Sequence, residues 1–113
     1  KIIKIVRVRT CDGVPVMLEE NHFPARFAYL LSHDLTGSLY QILAENGTVM
    51  DNGVKRIGIC QANEQEQQYL GVPLNKPLLS VKDVSYDREG NPVHNCKSVI
   101  NPDRYKMTVM VNA

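Results

Sequence analysis

The chain has 113 residues, of which 43% are hydrophobic and 22% charged, and this length and composition predict one globular domain. Its 13 Lys and Arg residues and 12 Asp and Glu residues leave a formal net charge of +1 and are interspersed along the chain. Binding to a nucleic-acid backbone needs a basic stripe, and the sequence has none, so we predict that these residues do not themselves bind nucleic acid.

The sequence disfavours two further classes of protein, namely proteins with a membrane-spanning helix and proteins held together by disulfides. No apolar stretch approaches the ~20 residues that span a bilayer, which excludes a membrane-spanning helix. The cysteines Cys11, Cys60 and Cys96 are odd in number and widely spaced, which favours free thiols in the cytoplasm. The chain begins without Met and already in a strand-like pattern. We therefore expect a cytoplasmic domain cut from a longer protein.

The first predicted element is a β-hairpin. The segments "IIKIVRVRT" and "VPVMLEE" both alternate with a period of two and are joined by the turn "CDG". A two-residue "DG" loop places Glu20 on the face of Arg7 and Arg9, whereas a three-residue "CDG" loop with Gly13 left-handed places Glu19 there. The pattern leaves both registers open, and in each of them a carboxylate shares the face of the arginines.

Three short helices are predicted after the hairpin, within residues 23–34, 37–47 and 63–71. The first is amphipathic, the second has a capping box and an apolar stripe, and the third has a cap pair and a terminating glycine. The residues behind these assignments are Phe27, Leu30 and Leu31 in the first helix, Ser38, Leu39, Gln41, Ile42 and Leu43 in the second, and Asn63, Glu66 and Gly71 in the third.

Four more strands complete the predicted secondary structure. They are "GVKRIGICQA", "PLLSVKDVSYD", "PVHNCKSVI" and "YKMTVMVNA". Together with the hairpin they predict an α+β domain with a mainly antiparallel six-stranded sheet and helices packed against it.

The chemistry of the first strand points to an anion site. Arg7 and Arg9 lie on one strand face, and two guanidinium groups offer the fork geometry that phosphate and carboxylate groups accept. Thr36 and Ser38 lie where a loop enters a helix, a second feature that attracts anions. The alternative is that the arginines face water and that Ser38 is an ordinary helix cap.

The strand at 92–100 places His94, Cys96, Ser98 and Ile100 on one face. This face carries no metal-ligand spacing, and no nucleophile motif surrounds its Cys or Ser. The chain also has no glycine-rich phosphate loop. We therefore predict no cofactor, no metal site and no catalytic residues.

The whole chain resembles the effector-binding (UTRA-type) domain of GntR-family transcription regulators of the HutC-like group. The resemblance rests on the ordered segments "RVRTCDGVPVMLEENHFP", "LTGSLYQIL" before "ENG", and "NEQEQQYLGVPLNKPLLSVKDVSYDREGNPVHNCKSVINPDRYKM". It implies a chorismate-lyase-like fold that binds a small metabolite in a cytoplasmic regulator. It also implies a homodimer and an N-terminal winged-helix domain, outside this chain, that binds DNA.

The resemblance also implies residues for the site. In relatives that bind phosphorylated amino sugars, the matching positions are Arg7, Arg9, Glu19, Thr36 and Ser38, which favours the register that places Glu19 beside the arginines. The same relatives have a glutamate and a tyrosine where this sequence has His94 and Ile100. We therefore expect an anionic metabolite, with a phosphorylated sugar other than an amino sugar favoured, and we expect His94 to contact it.

Two other functions remain open from the sequence. The domain could be a ligand-free dimerisation module in which the arginine face packs against a partner subunit. It could also be an enzyme like chorismate lyase, which shares the fold implied by the resemblance, because fold alone does not determine function.

Overall fold

The computed structural model describes residues 2–112, which form five strands and three helices. In chain order these are β1 (Ile2–Cys11), β2 (Val14–Pro24), a 3₁₀ helix (Ala25–Ser32), α1 (Leu39–Glu45), β3 (Met50–Gln61), α2 (Glu64–Leu70), β4 (Pro77–Asp87) and β5 (Pro92–Ile100). The strands form one antiparallel sheet in the order β1-β2-β5-β4-β3. The predicted α+β class with an antiparallel sheet is confirmed.

The β1–β2 hairpin has a register that neither sequence-based alternative describes. Its loop is the two-residue one, formed by Asp12 and Gly13 with φ of 51° and 78°, the positive values that a type I′ turn needs. A bulge at Val16, just beyond the turn, then shifts the pairing by one residue. As a result Arg7 lies directly opposite Glu19, and Glu19 joins the arginine face by a route that the turn alone does not predict.

The prediction of a sixth strand over 105–113 is wrong for residues 105–112, which form no strand, and residue 113 lies outside the described range. A strand needs a neighbour that pairs with its backbone, and none of the described strands pairs with this segment. Its apolar residues Val109, Met110 and Val111 are exposed. The alternating pattern is present, but within residues 2–112 it has no partner.

The first predicted helix is a 3₁₀ helix, and this changes which residues it buries. Phe27 and Leu30 are buried as predicted, whereas Leu31 is 57% exposed. A 3₁₀ helix has three residues per turn, so positions i and i+3 align and position i+4 leaves the apolar stripe.

Both α-helices begin at the predicted caps. Ser38 Oγ accepts from the backbone N–H of Gln41 at 3.2 Å, which caps α1, but the return bond of the predicted capping box is not among the hydrogen bonds of residues 2–112. Asn63 and Glu66, the predicted cap pair of α2, form both hydrogen bonds of a capping box, at 2.8 and 3.1 Å. The helix α2 ends at Gly71, which has the left-handed φ of 64°.

Two hydrophobic clusters lie on opposite faces of the sheet, because successive strand residues such as those of β2 point to opposite sides. One cluster joins the sheet to the 3₁₀ helix and α1 through Ile5, Phe23, Phe27, Leu30, Leu39, Leu43 and Val93. The other packs α2 against the opposite face through Leu18, Ala62, Leu70, Val72, Leu78 and Val99. The first helical layer covers only one end of its face, and a cleft opens beside it.

Candidate functional site

A cleft of about 640 Å³ lies on the sheet face that carries α1. Five of the six predicted site residues line it, namely Arg7, Arg9, Glu19, Ser38 and His94. The sixth, Thr36, is not among the lining residues. Its backbone N–H and its hydroxyl both donate to the Asp34 carboxylate, at 3.0 and 2.7 Å, in an exposed loop. The structure therefore brings together the predicted strand residues and the helix cap, and leaves Thr36 outside the cleft.

The Arg7 guanidinium is held by the protein itself. Its Nε and Nη2 donate to Glu19 Oε1 at 2.9 and 2.7 Å. Its Nη1 donates to the carbonyl oxygens of Leu35 and Gly37 at 3.1 and 2.8 Å. Arg7 therefore ties the loop before α1 to the sheet, and its charge is already balanced by Glu19.

Arg9 lies two residues further along the same strand face and is half-buried. Within residues 2–112 its guanidinium has no hydrogen bond or ion pair to a protein group. A guanidinium presents five N–H donors in a planar fork that matches a phosphate or a carboxylate. Arg9 is thus the arginine of the cleft whose donors are open to a ligand.

His94 lies at the floor of the cleft and is only 7% exposed. Its ring stacks on Phe23 with 4.4 Å between the ring centroids. Burial lowers the pKa of His94 to about 4, so the imidazole is neutral at pH 7. A neutral imidazole has one nitrogen that donates and one that accepts.

The neighbours of His94 determine which nitrogen carries the proton. Asn21 Nδ2 donates to the Ile5 carbonyl at 3.2 Å, which leaves Asn21 Oδ1 as the acceptor for His94 Nε2–H at 2.8 Å. His94 Nδ1 then accepts from the Tyr40 hydroxyl at 3.1 Å, and the Ser85 hydroxyl donates to the Tyr40 oxygen at 2.8 Å. Both ring nitrogens are therefore engaged within the protein.

The far end of the cleft carries a second ion pair. Lys55 of β3 lies opposite Asp83 of β4, with Lys55 Nζ 2.8 Å from Asp83 Oδ1. This pair is partly exposed and leaves the end of the cleft polar but close to neutral.

Along β5, the residues His94, Cys96, Ser98 and Ile100 all line the cleft, as their shared strand face predicts. Burial raises the pKa of the Cys96 thiol, so the thiol is protonated and a poor nucleophile at neutral pH.

Sequence reasoning missed Asn21, Tyr40, Lys55 and Asp83 as cleft residues. The sequence pattern could have predicted Asn21, because extending the alternation of β2 by two positions from Glu19 places Asn21 on the same face. The Lys55–Asp83 pair had no local signal, since it depends on the pairing of two strands that lie far apart in the sequence.

Two kinds of feature are absent from the described residues. No group of three or more His, Cys, Asp or Glu side chains within residues 2–112 is arranged as a metal site. No helix in the same range is long and apolar enough to cross a membrane.

Comparisons with known proteins agree with this architecture. The family model described as "UTRA domain" matches residues 1–106. The HTH-type transcriptional repressor NagR of Bacillus subtilis (strain 168) is 28% identical over 106 residues, which cover 92% of this chain and 44% of NagR. The HTH-type transcriptional repressor PhnF of Mycolicibacterium smegmatis (strain ATCC 700084 / mc(2)155) is 29% identical over 114 residues, which cover 99% of this chain and 47% of PhnF. The chain thus spans about half the length of these curated relatives.

A solved structure shows the same fold. The crystal structure of PhnF from Mycobacterium smegmatis superposes with a TM-score of 0.93 at 29% identity, over 99% of this chain and 51% of that one.

Proposed function

Because this chain belongs to the UTRA domain family, whose model matches residues 1–106, we propose that it is the effector-sensing domain of a GntR-family transcriptional regulator. Its cleft binds a small anionic metabolite, with a phosphorylated sugar as the favoured class. The chain contributes no catalysis and no cofactor to this function.

The single observation that carries the proposal is the unpaired guanidinium of Arg9. The charges of Arg7 and Glu19 cancel at one side of the cleft, and those of Lys55 and Asp83 cancel at the other. Within residues 2–112, Arg9 remains as the cation of the cleft without an acidic partner, among groups that are neutral or paired. A half-buried, uncompensated cation attracts an anionic group of a ligand and holds it by charge-assisted hydrogen bonds.

The remaining lining favours a hydroxylated ligand. Ser38, Tyr40 and Ser98 bring hydroxyl groups to the cleft, and Asp83 brings a carboxylate acceptor. The cleft volume of about 640 Å³ lies within the range of roughly 300–1,000 Å³ that is typical of small-molecule sites. A sugar phosphate combines the anion that suits Arg9 with hydroxyls that suit the other groups.

The full regulator would transmit binding to DNA. In the proposed protein an N-terminal winged-helix domain, attached to this one, binds DNA in a cytoplasmic homodimer. A ligand that binds one orientation of the DNA-binding domains more tightly than another shifts the population between them.

The proposal is tested by a thermal-shift screen against glucose 6-phosphate, other sugar phosphates, the matching free sugars, inorganic phosphate, small carboxylates and fatty acids. A ligand present at 100 times its Kd stabilises the folded state by about 2.7 kcal/mol. We expect a sugar phosphate to stabilise the wild type but not Arg9→Gln. The matched control is Arg88→Gln, which removes an exposed arginine of the β4–β5 turn and should leave the shift unchanged.

Three outcomes contradict the proposal. If no anion stabilises the protein, the alternative function, a dimerisation module that binds no ligand, is favoured. If only an apolar acid stabilises it and Arg9→Gln has no effect, the arginine is not part of the site. If the chain alone consumes chorismate, it is an enzyme.

A further inference from the structure

We propose that Tyr40 and Ser85 bind a hydroxyl group of the ligand, and that they bind it as hydrogen-bond acceptors only. Asn21 and His94 fix this direction and act through Tyr40 as positioning residues. The proposal rests on the sugar phosphate of the proposed function and deepens it, because it names a second ligand group, besides the anion, and the residues that recognise it.

The four side chains form one chain of hydrogen bonds in the order Asn21, His94, Tyr40 and Ser85. The donor–acceptor distances along it are 2.8, 3.1 and 2.8 Å. An amide, a neutral imidazole and a hydroxyl can each both donate and accept. The direction of the three bonds is therefore not set by the bonds themselves and has to come from one end of the chain.

The Asn21 end of the chain fixes the direction. Asn21 Nδ2 lies 3.2 Å from the Ile5 carbonyl oxygen and 3.4 Å from Glu19 Oε1. A carbonyl and a carboxylate only accept, so the amide nitrogen has to face them and Asn21 Oδ1 has to face His94. Asn21 is 1% exposed, and the reversed amide would bury acceptors against an acceptor, which is costly.

His94 passes this direction on to the two hydroxyl groups. Asn21 Oδ1 accepts from His94 Nε2–H, and the neutral ring keeps a lone pair on Nδ1. Tyr40 donates its single hydroxyl proton to that lone pair, and Ser85 donates its own to the Tyr40 oxygen. Burial holds the pKa of His94 at about 4, so the ring stays neutral at pH 7 and the direction is kept.

Tyr40 Oη and Ser85 Oγ, here called the acceptor pair, therefore present lone pairs and no proton to a ligand. Tyr40 lines the cleft, and Ser85 lines an adjoining pocket of about 330 Å³. The two cavities share Tyr40, Lys55 and Asp83. A ligand group that meets the acceptor pair has to donate, which a hydroxyl does and a carbonyl, an ether or a phosphate ester oxygen does not.

An ammonium group also donates, but the surroundings of the acceptor pair disfavour it. The ammonium of Lys55 lies at the same end of the cleft, with its Nζ 2.8 Å from Asp83 Oδ1. A second cation there would be repelled by Lys55 and would compete with it for the carboxylate. A neutral hydroxyl avoids both costs, so the acceptor pair suits the hydroxyl of a sugar better than the amine of an amino sugar.

The direction of the chain is measured without a ligand, by nitrogen-15 NMR of the histidine rings at pH 7. We expect His94 to carry its proton on Nε2 and none on Nδ1. His33 is the internal comparison, because its Nδ1 lies 2.9 Å from the Tyr29 carbonyl oxygen and should carry a proton. A proton on Nδ1 of His94 would reverse the chain and overturn the proposal.

Recognition of the hydroxyl is measured by calorimetric titration with glucose 6-phosphate and with analogues in which one ring hydroxyl is replaced by hydrogen or by fluorine. If glucose 6-phosphate does not bind, the sugar phosphate that stabilises the wild type in the thermal-shift screen takes its place. Fluorine cannot donate, so at the position that meets the acceptor pair both analogues should bind about tenfold more weakly than the parent sugar. Tyr40→Phe should weaken the parent by the same factor and leave these two analogues unchanged.

Two variants separate recognition from a structural effect. Tyr69→Phe is the matched control, because Tyr69 is 45% exposed against 41% for Tyr40 and lies on α2, which packs against the other face of the sheet. It should bind as the wild type does. His94→Phe keeps a ring on Phe23 but leaves the Tyr40 proton free to donate, so the parent and the fluorinated analogue should bind more equally. A merely structural role of His94 would weaken both and leave their ratio unchanged.

The outcomes separate this proposal from the proposed function. Equal binding of the parent and every fluorinated analogue, or wild-type affinity in Tyr40→Phe, overturns the recognition of a hydroxyl by the acceptor pair. If Arg9→Gln still abolishes binding in that case, the anion site stands. A screen in which no sugar phosphate binds overturns both proposals. Circular dichroism reports whether each variant is folded, and the NMR measurement and the wild-type titrations require no substitution.

Discussion

Arg7 Nη2 lies 2.7 Å from Glu19 Oε1, and the two side chains face each other across the β1–β2 pair at about 15% exposure. The same guanidinium holds the carbonyls of Leu35 and Gly37, so one residue connects the sheet to the loop that precedes α1. The two arginines of the first strand therefore differ in role. Arg7 supports the wall of the cleft, and Arg9 is the residue that we propose binds the ligand.

We predict that Arg7→Ala lowers the free energy of unfolding by about 2 kcal/mol, since it leaves Glu19 without its partner and two loop carbonyls without their donor. Urea unfolding at pH 7 measures this loss. Lys4→Ala is the control, because Lys4 pairs with Glu20 at 2.9 Å on the exposed surface. Its effect should stay below about 0.5 kcal/mol. Equal effects of the two variants would show that the Arg7 contacts add nothing beyond a surface pair.

We predict that His94 makes the fold less stable in mild acid. Its folded pKa is about 4 against an ordinary value of 6.5, so between these pH values the unfolded chain binds a proton that the folded chain does not. Stability should therefore be full above pH 6.5 and fall by up to about 3 kcal/mol on acidification towards pH 4. Urea unfolding at a series of pH values measures the slope.

His94→Gln tests whether this slope belongs to His94, because glutamine keeps a donor and an acceptor but does not titrate. The variant should flatten the fall in stability between pH 6.5 and pH 4. An unchanged slope would assign the acid sensitivity to other groups.

The pairing of β3 with β4 gives a third prediction. A Cβ added at Gly53 would lie 2.7 Å from the Val84 carbonyl oxygen, a backbone atom fixed in the sheet, whereas a Cβ at Gly58 meets nothing within 4 Å. Gly53→Ala should cost about 1–3 kcal/mol through this overlap. Gly58→Ala should be neutral or slightly stabilising, because alanine restricts the unfolded chain. Urea unfolding measures the free energy of unfolding of both variants. If Gly58→Ala were the more destabilised of the two, β3 and β4 would have to pair in a different register.

Local patterns predicted the elements whose causes are themselves local. The cap pair of Asn63 and Glu66 and the left-handed Gly71 specify where α2 begins and ends, and the structure confirms them. The alternation along β2 and β5 predicted which residues share the cleft face. In each case the determining contact lies within a few residues of the chain.

The remaining features depend on contacts that a local pattern does not contain. Glu19 lies opposite Arg7 because of a bulge at Val16, and the turn sequence does not predict this bulge. The ion pair of Lys55 and Asp83 depends on the register between β3 and β4, which are neighbours in the sheet but lie far apart in the sequence. The alternation of residues 105–112 predicts a strand, but a strand also needs a neighbour that pairs with it, and none of the described strands does so.

The cysteines provide a test of the cleft that does not depend on a substitution. Burial raises the pKa of both Cys60 and Cys96, whereas Cys11 is exposed. Because the thiolate is the reactive form, iodoacetamide should alkylate Cys11 first and the other two slowly. Only Cys96 of the slow pair lines the cleft.

A ligand bound in the cleft should therefore slow the alkylation of Cys96 and leave the rate at Cys60 unchanged, since both residues are partly buried but only Cys96 lines the cleft. Peptide mass spectrometry after timed alkylation, with and without the sugar phosphate found by thermal shift, measures both rates in the same sample. Protection of Cys96 alone would locate the ligand over β5. Equal protection of both thiols would instead indicate a general tightening of the fold, and no protection would move the ligand away from the strand face that Cys96 shares with His94.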